Sequence, residues 1–128
     1  MEQITKQGKD EIKEQAIECL KWYRGEASEL HHEAFNTDYF IIGRYQAEEW
    51  LKENYGVFNA IETIKEYEQN NFGEIYTDLS EPEKVVNMLV YIIGEEILNE
   101  SETLREIWDN NITDEDAEKI IKELEEVA

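Results

Sequence analysis

The sequence predicts an all-α fold: one compact domain, residues 1–128, of about five to seven helices, with a short extended segment near 73–79 as the one exception. Three observations lead there. One proline and six glycines in 128 residues leave few helix breakers. The apolar residues recur three and four positions apart, the spacing of a helix face rather than of a strand. Hydrophobic residues make up 41% of the chain and aromatics 11%, enough to fill one core without disulfides or metals. That composition also sets the chain apart from disordered acidic proteins, which are poor in aromatics.

Each element has its own signals. A first helix is expected over 9–24, with Ile12, Ala16, Cys19, Leu20 and Tyr23 as its apolar stripe and Gly25 as its C-terminal cap. A short helix follows over 28–35. Thr37 reads as the N-cap of a third helix over 37–53, whose opening Tyr39, Phe40, Ile41 and Ile42 is apolar on nearly all sides, as in a central buried helix. Gly56 separates it from a fourth over 57–70, with Val57, Ile61, Ile64 and Tyr67 on one side and Gly73 ending it.

The stretch GEIYTDL at 73–79 is the one place where an extended piece fits. Ser80 and Glu83 then form a capping box, with Pro82 tolerated in the first turn. Val85, Val86, Leu89, Val90, Ile92, Ile93 and Ile97 follow, so this helix should cross the middle of the core. Ser101 and Thr113 read as N-caps of helices over 102–109 and 114–127. The last presents Ala117, Ile120, Ile121, Leu124 and Val127 as one stripe.

Charge is the most informative property. Thirty-two Asp and Glu face twelve Lys and Arg, a net charge of −20. Charge that far from zero costs the compact state self-repulsion, and solubility needs only about 2–8 charges on a small domain. The excess is uneven. Residues 1–44 hold nine acids and six bases (−3), 45–77 seven and two (−5), and 78–128 sixteen and four (−12).

The candidate partner-binding carboxylates are therefore the thirteen between residues 95 and 128: Glu95, Glu96, Glu100, Glu102, Glu106, Asp109, Asp114, Glu115, Asp116, Glu118, Glu123, Glu125 and Glu126. As one helix rising about 1.5 Å per residue, this stretch would carry roughly one carboxylate every 4 Å. A strand of B-DNA carries a phosphate about every 3.4 Å. Trp108 lies among these acids and is the candidate interface aromatic. The competing reading is a solvated acidic face that serves only solubility.

Other chemistries find little support. Anionic lipid and nucleic acid would both be repelled, so neither is an expected partner. Glu29 and His32 have the Glu-x-x-His spacing of di-iron bundles, but the chain's two histidines are adjacent, so a second such motif is impossible. Asp109, Asn111 and Thr113 begin like a calcium loop, yet Asp114 stands where its glycine belongs and Ile120 where its bidentate glutamate belongs. Cys19 reads as a buried small hydrophobe, and neither a nucleophile elbow nor a phosphate-cradling glycine loop occurs. No catalytic residue, metal site or cofactor is expected. The opening MEQITKQGKDEIKEQ has neither the apolar core of a signal peptide nor the composition of a transit peptide, so the cytoplasm is the expected location.

Three segments carry a resemblance: ELHHEAFNTDYFIIGRYQAEEWL, GEIYTDLSEPEKVVNMLVYIIGEEIL and the closing IWDNNITDEDAEKIIKELEEV. Their order is similar to that of the small acidic antirestriction proteins of tailed bacteriophages, the Ocr-like DNA mimics. The chain departs from that pattern by lacking a nearly uninterrupted acidic end and by carrying several lysines in its first twenty-five residues. The resemblance implies a DNA mimic, often a homodimer, whose carboxylates fill the basic DNA-binding groove of a host restriction enzyme or CRISPR effector. The alternative from the residues themselves is an adaptor that binds a protein partner through an apolar helix face.

Overall fold

The computed structural model describes residues 4–35 and 43–126. Among these residues it is all-α, with α1 Lys6–Leu20, a 3-10 turn Ala27–Glu29 leading into α2 Leu30–Phe35, α3 Arg44–Asn54, α4 Val57–Phe72, α5 Pro82–Leu98, α6 Glu102–Glu106 and α7 Asp114–Glu126. The expected crossing helix is α5, and α1, α2, α3 and α4 all pack on it. Its sequence explains why: Val85, Val86, Leu89, Val90, Ile92, Ile93, Ile97 and Leu98 are buried on several sides of one cylinder. Gly94 adds a close approach, since a Cβ at that position would collide with the Phe35 ring of α2. Outside this layer α7 packs on α1 and α6, burying Ala117, Ile120 and Leu124.

Several boundaries differ from expectation, each for a local reason. The first helix starts earlier because Thr5 caps it, accepting from the Gly8 amide at 3.1 Å. Thr5 also donates its hydroxyl to Asn54 Oδ1 at 2.6 Å, which ties the start of α1 to the end of α3. At its other end α1 stops at Leu20, with Lys21 as the cap. Gly25 does not cap it. Residues 25–27 instead pair antiparallel with 110–112: the Ile112 amide donates to the Gly25 carbonyl at 2.9 Å and the Ala27 amide to that of Asn110 at 3.0 Å.

The predicted Thr37 cap and the apolar run Tyr39, Phe40, Ile41 and Ile42 lie outside the described residues. The third helix begins at Arg44 after Gly43 and buries one face, Ala47, Trp50 and Leu51. Helix α4 is rotated from the expected stripe, burying Ala60, Ile64 and Glu68 while Val57 is exposed. Gly73 ends it as expected, at φ +81°, in the left-handed region where glycine has no Cβ penalty.

Residues 73–79 form bends rather than a strand. The Ser80–Glu83 capping box is not made, because Asp78 competes locally for Ser80. Its Oδ1 accepts the Ser80 amide at 3.0 Å and hydroxyl at 2.6 Å, so Glu81 becomes the cap position, with Pro82 in the first turn. The other two predicted caps form. Ser101 accepts from the Leu104 amide at 3.1 Å. Thr113 and Asp116 exchange reciprocal 3.2 Å bonds between side chain and backbone. Helix α6 ends at Glu106, three residues short of expectation, where the chain turns back towards residues 25–27.

Candidate interaction surface

The thirteen candidate carboxylates do not lie on one rod. Turns at 99–101 and 107–113 fold their stretch over the end of α5, α6 and α7, so the charge is spread over a surface rather than aligned. Four of the thirteen serve the fold. Half-buried Glu95 accepts the Tyr67 hydroxyl at 2.7 Å. Asp114 pairs with Arg24 across the α1–α7 seam, and Asp116 closes the cap of α7. Glu123 holds the start of α6, accepting the Ser101 hydroxyl (2.7 Å), the Thr103 amide (3.0 Å) and the Thr103 hydroxyl (2.6 Å). The other nine, Glu96, Glu100, Glu102, Glu106, Asp109, Glu115, Glu118, Glu125 and Glu126, are exposed.

Their surroundings divide them. At 100° per residue, Glu115, Lys119, Lys122 and Glu126 fall on the face of α7 opposite its buried stripe, so its outer face mixes both signs. On its α1 side, Glu125 lines a shallow cleft with Lys13 and Lys21. Residues 95–113 are different: six acids accompany a single base, Arg105. Within the stretch that carries the thirteen acids, the less compensated negative surface is thus the end of α5 with α6 and its following turn, rather than the C-terminal helix.

Trp108 sits in that turn. Its ring stacks on His31 with centroids 5.7 Å apart and planes 18° apart, and its carbonyl accepts the Ser28 amide at 2.9 Å. Tyr91 packs edge-on against His31 at 5.7 Å. Of the two adjacent histidines, His32 is exposed and His31 is buried. Burial, then the neighbouring His32, hold the His31 pKa below the ordinary histidine value. Among the described residues no group of His, Cys, Asp or Glu is arranged to hold a metal ion. Cys19 is buried as expected; burial foremost, with Glu33 nearby, pushes its thiol up to about 12, which leaves it protonated and inert.

Comparison with protein-family models, curated proteins and solved structures gave no match. No helix among the described residues is long and apolar enough to cross a membrane.

The Glu123 arrangement makes a pH prediction. Hydrogen bonds from Thr103, and then from Ser101, hold its carboxyl below the ordinary glutamate value. A depressed folded-state pKa contributes stability that is present above the unfolded value and is lost as pH falls through the folded one. Glu123→Gln should therefore melt below the native protein at pH 7, and the gap should close as pH falls through the carboxylate range, below about 4. Thermal melts from pH 7 to 3.5 followed by circular dichroism read this directly; a gap that stays constant would show that the carboxylate's charge is not what anchors α6.

Proposed function

We propose that this protein inhibits a DNA-binding defence nuclease of a bacterial cell, a restriction enzyme or CRISPR effector, by occupying its DNA groove. Carboxylates of residues 95–113, joined by exposed acids of α7, would stand where phosphates stand among the partner's Lys and Arg. The observation that carries this reading is the outward-facing set Glu96, Glu100, Glu102, Glu106 and Asp109, exposed beside one base on a helical frame that does not use them. The resemblance to phage antirestriction proteins points the same way. Such a surface steers association with a basic groove and makes binding depend steeply on ionic strength. The proposal requires no turnover.

Affinity capture from bacterial lysate tests it, using the full chain as bait. At about 0.1 M sodium chloride a DNA-binding protein should be retained, and at about 1 M, where the Debye length falls from about 10 to about 3 Å, it should be released. Capture that survives high salt would instead favour the adaptor reading, in which an apolar face does the binding.

A further inference from the structure

The corner between α4 and α5 presents large apolar side chains to solvent. Phe72, Ile75 and Tyr76 are 49%, 38% and 66% exposed. They are held in order rather than loosely displayed. The Phe72 ring meets Tyr67 edge-on at 6.0 Å and Tyr76 edge-on at 5.9 Å. Beneath them lies Glu68, 2% exposed. It accepts the Thr77 amide at 3.1 Å, the Thr77 hydroxyl at 3.2 Å and, at 3.4 Å, the Tyr76 amide. Burying a carboxylate is costly, and here it fixes the loop that holds Tyr76 outward beside Phe72 at the end of α4. Adjacent exposed rings on a fixed frame mark an interaction site.

The charge around this corner selects the occupant. Residues 66–83 contain Glu66, Glu68, Glu74, Asp78, Glu81 and Glu83 and no Lys or Arg. Tyr76 and Asp78 also line a cleft of about 430 Å³ that continues to Met88, Tyr91 and His32. Lys84, at the cleft's edge, is engaged with Glu81 at 3.3 Å. Aromatic faces beside carboxylates suit a guanidinium better than an ammonium, because the planar, weakly hydrated group stacks and pairs at once. A second copy of this chain fits poorly: it carries −20, and of its three arginines Arg24 and Arg44 are engaged in ion pairs of their own.

We propose that the α4–α5 corner docks an arginine-bearing segment of a partner protein, with a guanidinium stacked on Tyr76 and Phe72 and paired with Glu74 or Asp78. This site uses residues apart from the acids of 95–126 and stands whether or not those acids imitate DNA.

The test uses two fluorescein-labelled peptides of equal length and charge, one alternating arginine with glycine and one alternating lysine with glycine. Each is titrated with the full-length protein by fluorescence anisotropy. The arginine peptide should bind about tenfold more tightly than the lysine peptide. Phe72→Ala/Tyr76→Ala should remove that preference, leaving lysine-peptide binding within about twofold of its native value. Tyr76→Ser, at the most exposed of the three positions, repeats the test should the double variant lose its helical circular dichroism. Equal binding of the two peptides to the native protein, or a preference that survives both variants, overturns the proposal. So does sedimentation showing a native dimer that the aromatic variants convert to monomer, since the occupant would then be a second copy.

Discussion

Leu89→Ala should destabilise the protein by about 2–5 kcal/mol, the largest effect on stability expected of a single side-chain truncation here. Leu89 is fully buried on α5, the helix against which α1, α2, α3 and α4 pack. Removing its isopropyl end leaves a cavity that several elements would have to move together to fill, so little relaxation is expected. Urea unfolding followed by far-ultraviolet circular dichroism measures the loss. A cost below about 1 kcal/mol would mean that α5 lies at the edge of the packing, contrary to the fold described above.

The largest effect on binding should come from charge removal without loss of fold. Glu96, Glu100, Glu106, Asp109, Glu118 and Glu125 are exposed, and none of them holds a cap or an inter-helix bond described above. Changing all six to the corresponding amides should leave the helical circular dichroism intact. If each exposed pair contributes about 0.5 kcal/mol, partner affinity should fall by about 3 kcal/mol, on the order of a hundredfold. Asp116 and Glu123 are left out deliberately, because altering them would confuse a binding defect with damage to α6 or α7. Unchanged affinity in a folded six-site variant would defeat the groove-occupying role.

What could be read from the chain, and what could not, follows the range of the interactions. The core of α5 was legible because its apolar residues crowd several sides of one helix, and the Ser101 and Thr113 caps because they act within three residues. Ser80 misled because Asp78, two residues before it, offers a nearer acceptor than the helix start. Glu68 was illegible for a different reason. Glutamate reads as solvent-facing on any helical wheel, and its buried position depends on amides of a loop that sequence alone read as extended. The isolated Ile75 and Tyr76 in that loop were the available signal, since no helical stripe accounted for them. The concentration of acids after residue 94 was plain from composition, but its division was not. Glu123 is tied to Ser101 and Thr103, and Asp114 to Arg24, through packing that brings distant segments together, so the less compensated surface lies before α7 rather than on it. The His31–Trp108 stack is another such long-range contact, and it gives Trp108 a structural partner that its place among acids did not suggest.

The central claim is that the exposed carboxylates occupy the site a partner uses for DNA. It is tested most directly by competition: the nuclease recovered by capture is loaded with labelled duplex DNA and titrated with the native protein and with the six-site amide variant. The account predicts that the native protein displaces the duplex stoichiometrically, less effectively as salt rises, and that the variant needs on the order of a hundredfold more protein. Simultaneous binding of protein and duplex to the nuclease, or equal displacement by the native protein and the variant, would contradict it.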